Sequence, residues 1–424
     1  MMTDELNNGK SLEPMHKRLI EDAYRSRTFS LDAVRERVIA QFLLETSGRD
    51  DLLTTYADEK VRRQAIRDAA EYVIATEYLI LSTEEKRWLL QQVHDDIFQL
   101  GVLSNALQDP TITEISISNR QEIAVRHGFG ELEPYDAAFD SSNHLEQLLT
   151  YALALVGVQV GTDPFLEVGL TLAKRIIRLS LTGPPVMPSY SGLIRLHPFE
   201  PLTFEKMSDI YPETLQDFLQ RIILSGYGLI IVGEGGMGKT TLLGNLLQFT
   251  PPNTAVVQRA AEIHPTLIPL HVTAYNSIPK QGHPTLAFES QIQAAIQQQP
   301  LAIFIDEIQG DEEKTFWPLL HATNIQVVMT FRGRSNPRRL HSALSMAIRK
   351  ADRALPQEEI DQVLLNRLPF VVFLSQLEAG SAPRVELISQ WAMSEGNLIL
   401  EPLLVWSKGQ AGPQRTHIPS RLSL

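Results

Sequence analysis

From about Met15 to Leu103, apolar residues recur every three or four positions among dense charges, as in VRERVIAQFLLE and EEKRWLLQQVHDDIFQL. That spacing predicts a helical region. The pattern changes at Thr111. ITEISIS and EIAVRHG are short β-rich runs split by Asn119-Arg120, and HLEQLLTYALALV returns to helical spacing after Ser142. RIIRLSL reads as a further strand, followed by the turn-rich TGPPVMPSYSG and then LIRLHPFEPLT. Together these predict an α/β domain, and Pro198, Pro201 and Pro212 mark a linker after it.

A second pattern then begins. GLIIVG, TAVVQ, LAIFI and IQVVMTF are apolar strands, separated by helical runs at KTTLLGNLLQF, around Leu286 to Gln298, and at EEKTFWPLLHA. Alternation of this kind implies a parallel sheet covered by helices. A helical stretch to Asn366 precedes three β runs, PFVVFLSQL, RVELISQWA and LILEPLLVW, that extend the sheet. The expected organisation is a helical extension over 1–103, an α/β domain over 104–200, a linker over 201–213, a second α/β domain over 214–410 and a polar tail over 411–424.

Composition narrows the function classes. Of 424 residues 43% are hydrophobic and 21% charged, which is ordinary for a globular protein. The net charge of −12 disfavours wholesale coating of nucleic acid or anionic lipid. Absence of cysteine removes disulfides, thiolate catalysis and cysteine-bound zinc. No apolar core follows a basic start in MMTDELNNGKSLEPMHKR, so no secretory signal is expected, and the uncharged stretch from Gln147 to Thr162 is too short to span a bilayer. The expectation is a cytoplasmic chain, or one held at the membrane through partners.

The candidate chemistry centres on GEGGMGKTT, Gly233 to Thr241. Gly233, Gly238, Lys239 and Thr240 satisfy G-x-x-x-x-G-K-[ST], in which loop amides cradle phosphate oxygens, the lysine reaches the β and γ phosphates and the hydroxyl ligates Mg²⁺. The phosphate-binding set is therefore Gly233, Glu234, Gly235, Gly236, Met237, Gly238, Lys239, Thr240 and Thr241. Gly233, Gly235 and Gly238 also fit the dinucleotide pattern G-x-G-x-x-G. Lys239-Thr240 decides for the first, and the next strand ends in Gln258 and Arg259 where a dinucleotide fold wants an acid. LAIFIDEIQ carries Asp306 and Glu307 at its C-terminal end, a placement suited to Mg²⁺ or its water. The cluster Arg332, Arg334, Arg338, Arg339, Arg349, Lys350 and Arg353 reads as a solvated face, as arginines reaching a phosphate across a subunit boundary, or as a nucleic-acid track. His264, His271 and His283 lack metal-ligand spacing and read as polar structural residues, and the four tryptophans as packing residues.

The order of motifs resembles the secretion ATPases of type II and type IV systems, in particular the CpaF/TadA-like branch that serves tight-adherence pili. DPTITEISISN with EIAVRHGFGEL resembles the N-terminal signature of that branch, LIRLHPFEPLTFEKM its I-R-x-F linker and AAEIHP its T-A-E-L box. LPQEEIDQVLLNRLPFVVFLSQLEAGSAPRVELISQ is similar to its closing helix and strands, while the first hundred residues match only as a helical extension.

The resemblance implies a RecA-like P-loop core beside a smaller α/β domain, ATP with Mg²⁺ bound between them, and a homo-oligomer, a hexamer or a mixed ring. It also implies an inner-membrane platform protein as partner. Arg175 and Arg195 are the phosphate contacts it implies in the smaller domain, with Glu262 and Glu307 kept from its acidic boxes; the residues themselves add Arg332 as a further phosphate contact, Thr240 and Asp306 as Mg²⁺ ligands, and Lys239 to complete a catalytic set of Glu307, Lys239 and Glu262.

There are departures. Gln258-Arg259 stands where the family has Glu-Asp, Asp306-Glu307-Ile308-Gln309-Gly310 where it has Gly-Glu-x-Arg-Gly, and Phe331-Arg332-Gly333-Arg334 where it has I-H-A-N. Gln297 to Gln299 replace its R-M-R-P arginines, and Gly169 aligns with one expected arginine. Loss of a general base costs about 10²- to 10⁴-fold in rate, so binding is expected to survive better than turnover. Glu307 with Arg332 or Arg334 is the rescue the sequence offers. The site is either redesigned or decayed, and the corresponding functions are a secretion ATPase or a nucleotide-binding structural subunit. A RecA-like motor on nucleic acid is the third reading, opposed by the acidic balance.

Overall fold

The computed structural model describes residues 30–47, 58–159, 161, 163–276, 287–309, 312–322, 324–334, 336–378, 380–408, 410, 412–417 and 421–422. The chain forms two compact units, 1–97 and 98–424. In the first, the period of three to four residues becomes α1 (Leu31–Glu45) and α2 (Glu59–Thr76), followed by α3 (Thr83–Phe98), which ends at the boundary. Ser30 and Asp58 cap α1 and α2 by accepting the N–H groups of Asp32 and Lys60, satisfying donors that a helix start leaves without partners. Val34, Val38, Phe42, Ile66, Ala69, Leu89 and Val93 are buried.

The second unit contains α4 (Ser104–Gln108), α5 (Ser142–Ala154) and two sheets. The smaller has six antiparallel strands: β1 (Ile112–Ile117), β2 (Ile123–His127), β3 (Leu132–Pro134), β4 (Phe165–Leu172), β5 (Arg175–Thr182) and β6 (Ser191–Leu196). They lie in the order β3-β2-β1-β6-β5-β4. Alternation sends Ile115, Ile117, Ile177, Leu179 and Ile194 into the core. The other face carries a row of directly opposed residues, Arg126, Glu114, Arg195, Arg178 and Gly169, one from each of five strands. Strand β4, with its Gly169, was not legible from periodicity.

The larger sheet comprises β7 (Leu229–Gly233), β8 (Thr254–Gln258), β9 (Val272–Asn276), β10 (Ala302–Ile308), β11 (Gln326–Arg332), β12 (Phe370–Ser375), β13 (Arg384–Ser394), β14 (Asn397–Val405) and β15 (Gln414–Arg415). Its order is β15-β14-β13-β12-β7-β11-β10-β8-β9. The strands from β12 to β9 are parallel and the other three are antiparallel additions. The five strands β12-β7-β11-β10-β8 read fifth-first-fourth-third-second in chain order, which is the RecA-like arrangement. The three runs expected to extend the sheet do so, and the segment read as a polar tail contributes β15.

Every residue of β7 is buried, because helices cover both faces. Leu229 and Ile231 join the apolar faces of α6 (Glu213–Leu224) and α7 (Lys239–Leu246). Ile230 and Val232 join those of α8 (Phe288–Gln297), α9 (Glu313–Ala322), α10 (Pro337–Ala351) and α11 (Gln357–Arg367). The proline-marked connection is not loose: Phe204, Met207 and Tyr211 are buried in the first of these clusters. Asn245 of α7 accepts the Phe204 N–H at 2.8 Å and donates to the Leu202 carbonyl at 2.7 Å, so the connection is fastened to the helix that follows the phosphate loop.

Candidate nucleotide site at the phosphate loop

Strand β7 ends at Gly233 and delivers the chain into the loop that precedes α7. Gly236 and Gly238 have φ of +78° and +77°, and a Cβ on either would meet nothing within 4 Å. Backbone conformation, not crowding, requires glycine at both. Gly235 is different: its Cβ would sit 2.8 Å from the Arg195 guanidinium, so the small sheet lays an arginine directly over the loop. Lys239 is 8% exposed and its Nζ donates to the Glu234 carbonyl at 2.8 Å, spanning the loop it belongs to. Burial lowers its pKa, opposed by Glu307 and Asp306. Met237 packs against the core, and Thr241 contributes its carbonyl to Asn245 at 2.9 Å.

The end of β10 stands two strands away. A register shift between Ile305 and Ile308 bulges the strand where Asp306 and Glu307 leave it. Asp306 is buried, and the Thr240 hydroxyl lies 3.0 Å from both of its carboxylate oxygens. Thr330 of β11 donates its hydroxyl to Asp306 at 2.9 Å and accepts the Glu307 N–H at 2.7 Å. Burial, reinforced by Glu262 and Glu307, pushes the Asp306 carboxyl up to about 6. Glu307 has φ +67°, a left-handed conformation that is unfavourable for a residue with a side chain. Its carboxylate meets the small sheet instead of the loop: Arg178 Nη1 donates to Glu307 Oε2 at 2.7 Å.

Arg178 is the functional residue that sequence reading missed. It is 6% exposed and donates to three carboxylates: Glu167 at 2.8 Å, Glu262 at 3.1 Å and Glu307 at 2.7 Å. His197 Nε2 stands 3.0 Å from the other Glu262 oxygen. Burial works to raise the Glu262 carboxyl, but the His197 hydrogen bond and charge, with Arg178 and Arg195, hold it below the usual range. Arg178 lies three positions after Arg175, an odd step, so the two arginines face opposite sides of β5.

That parity corrects the expectation for Arg175. It is 1% exposed and donates to the carbonyls of His197, Asp109, Ile112 and Leu107, with its guanidinium 5.0 Å from the Phe199 ring centre. It knits the small domain together and is not brought to the loop.

Arg195 and Arg332 are brought to it. Arg332 is paired in register with Gly233, and with Arg195, Glu234, Gly235, Gly333 and Arg334 it lines a cavity of about 340 Å³. Arg334 donates to Glu234 at 2.6 Å. Gln258 is 1% exposed, accepts the Ile263 N–H at 2.7 Å and donates to Asn276 at 2.8 Å, so its amide closes the 258–263 loop and fastens β9. Arg259 pairs with Glu312, donates to the Glu307 carbonyl at 3.3 Å and lies 4.3 Å from the Phe288 ring centre. His264 caps a short 3₁₀ turn and His271 meets Thr250 at 3.1 Å, in structural roles, while His283 and Gly310 lie outside the described residues. Among the described residues no group of three or more His, Cys, Asp or Glu is arranged to hold a metal.

Strand order, left-handed glycine loop and the Thr240–Asp306 contact define the RecA-like class of phosphate-loop folds. No family model matches the chain. It is similar to the Type IV secretion system protein PtlH of Bordetella pertussis, with 22% identity over 179 residues, 41% of this chain and 52% of that one. It is also similar to an uncharacterized protein of Methanocaldococcus jannaschii, 23% identical over 263 residues, 58% of this chain and 47% of that one. The chain thus spans about half the length of the curated relatives it matches.

Similar solved structures include the VirB11 ATPase of the Brucella suis type IV secretion system (19% identity, 69% of this chain and 96% of that one, TM-score 0.36). Others are the Legionella pneumophila ATPase DotB (14%, 69% and 79%, 0.48) and the pilus retraction motor PilT with ADP (17%, 69% and 82%, 0.47).

Proposed function

We propose that the chain is a Mg-ATP-binding ATPase of the type II/IV secretion kind, of the tight-adherence branch, with altered catalysis. The observation that carries this is the meeting of the Thr240 hydroxyl, next to the loop lysine, with the buried Asp306 carboxylate at 3.0 Å. The donor set fits the group: one hydroxyl and one carboxylate suit Mg²⁺, which takes few protein ligands and keeps waters and phosphate oxygens. Bound Mg²⁺ supplies charge neutralisation at the phosphates. The 236–238 amides and Lys239 hold the phosphates, Arg195 and Arg332 add positive charge beside Gly235, and Glu307 orients the water. On this reading the subunits form a ring, a hexamer or a mixed one, at the cytoplasmic face of a membrane and drive a platform protein there.

Calorimetric titration with Mg-ATP tests the binding step. Wild type is expected to bind, Lys239→Ala to lose most affinity and Asp306→Asn to lose its Mg²⁺ dependence; a wild-type protein that binds no nucleotide overturns the reading. Gln258 favours a second reading, a nucleotide-binding structural subunit that partners an active relative, because its amide is committed to Ile263 and Asn276. Binding without turnover, alone or mixed with the relative, supports that second reading, and robust turnover by the isolated chain refutes it.

A further inference from the structure

Arg178 joins the small sheet to the end of β10. Three of its five N–H groups go to carboxylates: Nε to Glu167 of its own sheet, and Nη1 to Glu262, in the loop after β8, and to Glu307 at the end of β10. Glu307 is 12% exposed in its side chain and Glu262 6%, so both pairs are shielded from water. Charge-assisted bonds in such surroundings are strong, and breaking one leaves a charge buried.

Two further features hold the grip. Gly169, directly opposite Arg178, brings the backbone of the two halves together: a Cβ there would lie 2.8 Å from the Ala260 carbonyl carbon. Glu307 keeps its strained backbone because Thr330 accepts its N–H and Arg259 donates to its carbonyl. Its main chain is therefore fixed, and only the side chain chooses between the small sheet and the loop. The other charged groups that act on its carboxylate are Lys239, Glu262 and Asp306, with Arg195 and His197 acting in turn on Lys239 and Glu262.

We propose that Arg178 is a positioning residue that acts as a brake: it holds the Glu307 carboxylate on the small sheet, and ATP turnover requires that ion pair to open. The inference rests on the ATPase reading above and adds the regulation of that site. A carboxylate bound to a guanidinium through one oxygen is a poorer partner for the attacking water, and the small sheet must shift or Arg178 must find another anion before Glu307 turns to the loop.

The test measures nucleotide affinity and steady-state phosphate release on the full chain for wild type, Arg178→Lys and Arg178→Gln. Arg178→Lys keeps the charge and so the fold, but a single ammonium lacks the fork that holds three carboxylates in place. For a competent state populated to about 10%, full release raises kcat about tenfold, and partial release proportionally less. The expected result is a several-fold rise in kcat for Arg178→Lys and a larger one for any folded Arg178→Gln, with KM for ATP changed far less. Damage to the fold lowers kcat and does not raise it. Unchanged or lower kcat in Arg178→Lys, with Mg-ATP still bound, overturns the brake and leaves the ATPase reading standing; absence of Mg-ATP binding by wild type overturns both.

Discussion

Thr330 shows how much one hydroxyl carries. It is fully buried, gives its hydrogen to Asp306 and takes one from the Glu307 N–H, so it sets the geometry of both acids at once. Thr330→Val keeps the shape and removes both bonds. Leaving a buried donor and a buried carboxylate short of partners costs about 2 to 4 kcal/mol, to be read as a lower urea midpoint at unchanged m-value. Gln258→Glu is the complementary experiment. It restores the carboxylate of the resembling family beside Asp306, its register partner on β10, but the new oxygen replaces the amide that donated to Asn276. A second buried acid there is expected to lower stability by about 1 to 3 kcal/mol without raising turnover. A gain in phosphate release from this one change contradicts the assignment of Gln258 as a structural amide.

At the scale of elements, the small sheet and the 259–262 segment touch through glycine. Gly169→Ala places a methyl against the Ala260 backbone, which cannot rotate aside as a side chain does. Overpacking of this kind costs about 1 to 3 kcal/mol, and the thermal midpoint should fall accordingly. Much of the architecture was legible in the chain: GLIIVG and LAIFI are apolar throughout and IQVVMTF nearly so because helices cover both faces, and Gly-Lys-Thr fixed the loop. What was not legible had weaker signals. Strand β4, FLEVGLTL, carries a glycine and a glutamate, α6 begins directly after the proline-rich connection, and β9 and β15 have mostly exposed residues. Arg175, read as a phosphate contact, turns away from the loop for a simpler reason: a motif gives the neighbourhood of an arginine, while strand parity gives the face.

For the whole molecule, the Arg178 cluster is a cross-link between two sheets, and its strength depends on ionised carboxylates. Glu262 is held below its ordinary value of 4.5, so the folded state binds protons less readily there than the unfolded one. The stability it contributes is fully present above about pH 4.5 and is lost as pH falls through the depressed folded value. Glu262→Gln is expected to be less stable at neutral pH and to show a shallower acid limb in urea melts between pH 6 and roughly 3. An acid limb as steep as that of wild type contradicts the ion-pair account. The charge of −12 makes a nucleic-acid track unfavourable overall, and a single-strand titration from low to high salt is expected to stay flat.

The Thr240–Asp306 contact, Lys239 across its loop and Glu307 on its fixed backbone are the features on which the proposed ATP hydrolysis depends. Steady-state phosphate release by the purified chain, compared with Lys239→Ala and Glu307→Gln, tests it most directly. Slow, Mg²⁺-dependent release is expected of wild type, falling about 10²-fold or more in Glu307→Gln and to background in Lys239→Ala. Equal background rates in all three proteins contradict it.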